Sequence, residues 1–250
     1  MAPRGASATG PFLEEIIKPV RLRQAAQWDG VAWQSLGTGL PPYVRAVQEM
    51  PNGLVFAGPS LGGAGLKAWD GIAWSTIPGV AIVNCLGALG ATLVVSDTSG
   101  VRGYDTATAT WVAFGTGPSV SARSLLSLPN GGFLAAGQFG QAGTVNVASV
   151  AQWTGSAWRA LADGPRLVAC VAPLANGTFA VGGGFTSFGN LAFDHVAAWN
   201  GSTWVALGTG LDGAVADLVR ASNGELLAGG GFTHAGTTVA RGVARWNGAA

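Results

Sequence analysis

A pair of tryptophans with four residues between them recurs along this chain, and few folds can place such a pair so regularly. Trp28 and Trp33 enclose D-G-V-A, Trp69 and Trp74 enclose D-G-I-A, Trp153 and Trp158 enclose T-G-S-A, and Trp199 and Trp204 enclose N-G-S-T. Tyr104 and Trp111 frame a longer version, and residues 245–250 (R-W-N-G-A-A) open another that stops one residue before its second Trp is due. Asp-Gly and Asn-Gly between short runs rich in Val, Ala and Trp mark β-hairpins, because a tight primed turn needs positive φ, which Gly and Asn tolerate. Each aromatic pair is therefore expected to span a hairpin.

A second hairpin lies between successive pairs. Apolar arms flank Asn52-Gly53, Asn130-Gly131, Asn176-Gly177 and Asn223-Gly224. Residues 83–95 hold the matching place without Asn-Gly, and Ser96-Asp97 stands where the later copies have Gly-Gly. Four strands per unit, a to d, repeating every 35 to 50 residues or roughly so, is the sequence signature of a β-propeller. The expected fold is all-β: a β-propeller of four-stranded antiparallel blades. It has five blades if the leading c–d hairpin completes the last blade and closes the ring, and is otherwise a fragment of a six- or seven-bladed propeller. Residues 1–24 form a non-repeat N-terminal segment, in which F-L-E-E-I-I-K at 12–18 suits one or two helical turns before Pro19. Residues 25–250 form the propeller, truncated mid-repeat at the C-terminus and expected to be part of a larger polypeptide.

Physical chemistry favours stacked units over isolated ones. A single four-stranded sheet with two apolar faces must bury both against neighbours. Burying one Trp or Phe is worth roughly 4–6 kcal/mol before conformational entropy is subtracted. The ten tryptophans therefore read as packing between blades rather than as an aromatic platform.

The composition agrees and closes off several functions. Hydrophobic residues make up 48% of the chain and charged ones 10%, with a net charge of +1. No basic cluster is present to recognise nucleic acid or an anionic membrane surface. No apolar run approaches the length of about 20 residues that spans a bilayer, so no membrane insertion is expected. No secretion signal is visible either, because Glu14 and Glu15 fall where its apolar stretch would be. Cys85 and Cys170 sit at similar places in non-adjacent repeats and read as small core residues, not as a disulfide.

Strand alternation sorts the loops into two faces. The a–b and c–d turns emerge together on a short, regular face. The b–c loops (139–149, 185–195, 232–241) and d–a connections (115–121, 163–166, 208–213) emerge opposite, with varied lengths and polar side chains. Binding residues concentrate on variable loops of a rigid scaffold. The candidates on this face are Tyr43, Arg45, Arg123, Arg166, Asp194, His195 and His234, with Arg45 and Arg123 at corresponding places in strand a.

Signals for chemistry are weak. The glycine triplets at 182–184 and 229–231 lack the Lys-Ser or Lys-Thr of a phosphate loop, and close packing at the end of strand b explains them better. His195 and His234 could bring two metal ligands together near Asp194, yet no metal site and no cofactor is assigned. No nucleophile stands in a motif that supplies its base. Asn176 and Asn200 match glycosylation acceptors, but both fall in hairpin turns that account for them.

The runs W-N-G-S-T-W-V-A-L-G-T-G-L (199–211) and L-L-A-G-G-G-F-T-H-A-G (226–236) resemble the Kelch-like repeats of bacterial surface or secreted proteins and of the fungal cortical polarity-marker family. Y-D-T-A-T-A-T-W (104–111) is similar to a Kelch repeat proper, although Trp is used here where Tyr is usual. The resemblance implies a binding or scaffolding module at an extracellular or cell-envelope location. The function expected is non-catalytic binding of a protein or glycan through the b–c and d–a face. The alternatives are a lectin with one site per blade, or a hydrolase or oxidase at the channel mouth.

Overall fold

The computed structural model describes residues 25–41, 43–60, 65–115, 122–174 and 177–248. The helical turns expected at 12–18, Asn176 of the fourth a–b turn, residues 116–121 of one d–a connection and the last two residues lie outside these. The described residues form strands and connections, and no helix among them is long and apolar enough to cross a membrane.

The chain opens with the hairpin β1 (Ala26–Trp28) and β2 (Trp33–Ser35). The first sheet orders β3 (Val44–Glu49), β4 (Val55–Pro59), β5 (Leu66–Trp69) and β6 (Trp74–Ile77) side by side. The second does the same with β7 (Val83–Leu89), β8 (Thr92–Asp97), β9 (Gly100–Asp105) and β10 (Thr110–Ala113). In the third, β11 (Ala122–Ser127) and β12 (Phe133–Gly137) are followed by a small separate hairpin, β13 (Gln141–Ala142) and β14 (Val145–Asn146), before β15 (Val150–Trp153) and β16 (Trp158–Ala160) complete the sheet. The fourth repeats that plan with β17 (Val168–Pro173), β18 (Phe179–Gly183), the small hairpin β19 (Ser187–Phe188) and β20 (Leu191–Ala192), then β21 (Val196–Trp199) and β22 (Trp204–Ala206). The fifth holds β23 (Val215–Arg220), β24 (Leu226–Gly230), the hairpin β25 (His234–Ala235) and β26 (Thr238–Val239), and β27 (Val243–Trp246). Among the described residues this last sheet has three strands.

The aromatic pairs do face each other across hairpins, with ring centroids 5.2 to 5.7 Å apart. Their turns are not the two-residue primed type. Trp28 pairs with Trp33, so Asp29, Gly30, Val31 and Ala32 make the connection. Asp29 Oδ1 accepts from the amides of Val31 at 2.8 Å and Ala32 at 2.7 Å, and Asn200 Oδ1 repeats this with Ser202 at 3.0 Å and Thr203 at 2.9 Å. The Asp or Asn is thus selected as an acceptor, while the following Gly takes the positive φ, +100° at Gly30 and +105° at Gly201. In the a–b turns Asn-Gly works differently. Gly53 N donates to Met50 O at 2.9 Å and Gly131 N to Leu128 O at 3.2 Å, closing turns whose Gly has φ near +80° (83° and 81°).

Each junction between successive sheets has its own apolar core. Phe56 and Leu66 of the first meet Val83, Leu93 and Val95 of the second. Cys85 and Val94 meet Ala122, Phe133 and Ala135; Leu134 and Val150 meet Val168, Val181 and Trp199; Cys170 and Val196 meet Val215 and Leu226. The first strands β3, β7, β11, β17 and β23 pack in that order, so each sheet stands beside the next along one inner line. Glycines set the spacing. A Cβ on Gly58 would come within 2.5 Å of Val83, and one on Gly182 within 2.5 Å of Val215. At the equivalent place in the second sheet Ser96 faces the smaller Ala122 and donates to its carbonyl at 3.0 Å. Cys85 and Cys170 are free and buried, and burial pushes both thiols up to about 12.

The leading hairpin does not complete the last sheet. Among the described residues β1 and β2 form a sheet of their own, and β27 already occupies the third-strand place that β1 would need. The hairpin is instead tied to the first sheet, where Trp74 Nε1–H donates to Leu36 O and a Cβ on Gly37 would lie 2.8 Å from Trp69.

Candidate functional site

The loop face is assembled by contacts between b–c loops and d–a connections. The connection 207–213 lies between two such loops: Leu211 N donates to Asp194 O at 2.9 Å on one side, and Gly236 N donates to Gly210 O at 3.0 Å on the other. A Cβ on Gly210 would come within 2.5 Å of Asp194, so the fit requires glycine. Similar ties join the residue before strand a to the residue after strand b. Tyr43 O accepts from Ser60 N at 2.9 Å, Leu167 O from Gly184 N at 3.0 Å, and Ala214 O from Gly231 N at 2.8 Å. A Cβ on Gly183 would lie 2.2 Å from Leu167 O, and one on Gly230 2.2 Å from Ala214 O. The glycine triplets therefore admit a neighbouring backbone rather than cradle a phosphate.

Every inner strand carries a β-bulge at its second residue: Arg45, Asn84, Arg123, Ala169 and Ala216. A bulge adds a residue and re-aims its side chain. Arg45 and Arg123 therefore do correspond, as exposed bulge residues two sheets apart, and Arg45 Nη1 donates to Asn84 Oδ1 between them at 3.4 Å. Tyr43, just before β3, is 66% exposed with φ +70°.

The histidines do not converge. Asp194 and His195 are successive left-handed residues, φ +40° and +71°, that end the fourth b–c loop. His195 Nδ1 lies 3.2 Å from Gly183 O, and its amide donates to Phe185 O at 2.8 Å. His234 belongs to a different cluster. Asp212 Oδ1 accepts from the amides of Thr233 at 2.7 Å and His234 at 2.8 Å, while Oδ2 lies 2.6 Å from Thr233 Oγ1 and 3.0 Å from His234 Nδ1. The Thr233 hydroxyl and then the His234 amide and ring hold the Asp212 carboxyl well below the usual carboxylate range. The sequence-based idea of His195 and His234 meeting at Asp194 is thus corrected: no group of three or more candidate metal ligands occurs among the described residues. The Asp212 cluster is not a hydrolytic relay either. Thr233 Oγ1 lies 2.9 Å from His234 Nδ1, the same nitrogen that faces the carboxylate, whereas a relay needs hydroxyl and carboxylate on opposite ring nitrogens. Its role is to fasten the last b–c loop to the connection before it.

A cavity of about 510 Å³ opens on the loop face between the third and fourth sheets. One wall is the connection with Asp163, Arg166 and Leu167; the other is the b–c loop from Gly184 to Gly189. Arg166 and Asp163 are exposed, and Thr186 and Ser187 add hydroxyls. The apolar part is aromatic and firmly held. Phe188 stacks on Phe193 at 3.8 Å and meets Phe185 and Trp204 edge-on at 5.8 Å. Sequence reasoning marked Arg166 but missed Phe188, because stacking across a loop leaves no periodic trace. It also missed the ion pair of buried Asp97 with Arg102 at 2.7 Å, whose guanidinium lies 4.1 Å over Trp111.

No family model and no curated protein matches the chain. Solved structures do. A computationally designed protein, Ika8, superposes with a TM-score of 0.55 at 16% identity, over 76% of this chain and 56% of that one. The extracellular domain of a protein assigned as a hybrid two-component system from B. thetaiotaomicron gives 0.57 at 10% identity, over 86% of this chain and 28% of that one. The chain thus spans about half of the first and under a third of the second, and identities this low carry the fold alone.

Proposed function

We propose that the chain is a non-catalytic β-propeller interaction module of the Kelch-like kind, which binds a protein or glycan through the face built by its b–c loops and d–a connections. The observation that carries this reading is the cavity beside Arg166, where an aromatic wall, an Arg, an Asp and two hydroxyls meet on rigid supports. Convergent polar groups beside an aromatic wall are a usual part of a ligand site, and here polar and apolar lining are about equal. One site suits the fold better than one per sheet, since the corresponding place at the next junction is taken up by Asp212, Thr233 and His234 bonded to one another. An extracellular or cell-envelope location belongs to the same proposal, supported by the low charge and by the extracellular domain among the structural neighbours.

The test is a glycan array and a displayed-peptide panel probed with the chain and with Arg166→Ala and Ser187→Trp. A hit weakened about tenfold or more by both substitutions supports the assignment. Hits that both variants retain in full place the ligand elsewhere.

A further inference from the structure

Two arginines of this molecule meet a carboxylate. Arg102 bonds the buried carboxylate of Asp97 at 2.7 Å and lies 4.1 Å over the Trp111 ring, and Arg245 stands 3.6 Å from Glu225. Arg45 and Arg123 are placed differently. Both are exposed, and among the described residues no carboxylate forms an ion pair with either. Arg45 donates instead to a neutral amide, Asn84 Oδ1, at 3.4 Å, and so leans across to β7, the strand beside that of Arg123. Arg123 is exposed although β11 is packed between β7 and β17.

The fold keeps these three side chains in register. Each is the extra residue of its strand's bulge: Arg45 falls between Val44, paired with Pro59, and Ala46, paired with Gly58, and Asn84 and Arg123 hold the same step of β7 and β11. Adjacent sheets are keyed to one another at that step. Gly58 leaves room for Val83, and Ser96, which pairs with Cys85, donates to Ala122 O at 3.0 Å. The same step of each sheet therefore meets the same step of the next, and the bulge residues line up at the loop-face end of the inner strands. On β17 and β23 this place holds Ala169 and Ala216, so the long polar side chains stand on three consecutive strands with short ones beyond. The carboxylates of the inner strands lie elsewhere, Glu49 at the far end of β3 and Asp217 on β23, two strands past Arg123.

We propose that Arg45, Asn84 and Arg123 form a seat for an oxyanion, a carboxylate or a phosphate group, on the inner line of the loop face. A guanidinium presents five N–H donors in a planar fork that matches two oxygens of such a group. Asn84, whose Oδ1 is taken by Arg45, keeps its Nδ2 hydrogens to donate. Two like charges flanking a neutral amide repel one another, and an anion between them turns that repulsion into attraction. None of the three residues lines the cavity beside Arg166, so the seat does not rest on that assignment.

The experiment is a nuclear magnetic resonance titration of the 250-residue chain with inorganic phosphate, with glucuronate, and with glucose as the neutral control. Low ionic strength keeps screening least. Saturable shifts in the N–H signals of Arg45, Asn84 and Arg123 are expected with at least one of the two anions and not with glucose. Tighter binding of phosphate assigns a phosphate ligand, tighter binding of glucuronate a carboxylate one, and equal binding supports a seat for either. Arg45→Gln and Arg123→Gln, both at exposed positions, are each expected to weaken binding by about tenfold or more, the loss of a charge-assisted pair. Asn84→Asp sets a carboxylate of the protein's own beside Arg45 and is expected to abolish binding, whereas Arg166→Ala leaves it unchanged. The proposal is overturned if neither anion gives a saturable shift, or if the two arginine variants or Asn84→Asp bind as the wild type does. Loss of binding in Arg166→Ala alone moves the anion to the other cavity and overturns it too.

Discussion

Removing Trp158 measures how strongly the aromatic locks hold neighbouring sheets, and the repeat supplies its own control in Trp33. Trp158 is 7% exposed, contacts Phe133 and Trp153 at ring distances of 5.4 and 5.5 Å, and donates to Phe114 O at 2.7 Å. Truncation to Ala deletes the ring and leaves a cavity at the junction, a loss of about 3–5 kcal/mol for a buried Trp. Trp158→Phe keeps most of the ring contacts but leaves the Phe114 carbonyl without its indole donor, so about 1–2 kcal/mol is expected. Trp33 stands in the same W-x-G-x-A-W motif and is more than half exposed, and Trp33→Ala costs less than about 1 kcal/mol. The assay is urea unfolding followed by circular dichroism, at concentrations low enough for a monomer, comparing midpoints at constant slope. Equal losses at Trp158 and Trp33 would refute the reasoning, as would a Trp158→Phe variant as stable as wild type.

Glycine positions give a second comparison: Gly183→Ala places a Cβ 2.2 Å from Leu167 O and is expected to destabilise by about 2 kcal/mol or more, whereas Gly229→Ala, with nothing within 4 Å, shifts the thermal midpoint little. Cys85 and Cys170, with thiols pushed up to about 12 by burial, are expected to stay unreactive toward Ellman's reagent in the folded chain at pH 8 or so and to react together on unfolding. For Asp212 the folded carboxyl titrates below its unfolded value of 3.8, so its contribution is complete above that value and is lost as pH falls through the lower folded one. Protection of the Thr233 and His234 amides, taken relative to their intrinsic exchange rates at each pH, should therefore hold down to about pH 5 and fall only in stronger acid, and Asp212→Ala should lower it at neutral pH.

The strand plan was legible because its causes are local. Trp-Asp-Gly and Pro-Asn-Gly segments carry their own turn chemistry, and alternating apolar arms state which residues are buried. The tight b–c turn at Thr98-Ser99, where Asp97 pairs with Gly100 and leaves two residues between, was seen only in the structure. The corresponding places of Arg45 and Arg123 could also be read from the repeat, though not the bulge that makes them project.

What sequence alone determined was therefore the repeating unit: its hairpins, its facing aromatic pairs and its unpaired cysteines; the expectation that all ten tryptophans pack between blades fails at Trp28 and Trp33, 51% and 58% exposed. Only the tertiary structure decided which loops face one another, because those contacts join residues of different units. Asp212 meets His234 across 22 positions and leaves His195 to Gly183, and Phe188, stacked on Phe193, lines one cavity with Arg166. Identical W-x-G-x-x-W motifs likewise end in opposite states, Trp204 seated and Trp33 exposed, because burial depends on the sheet standing next to the motif.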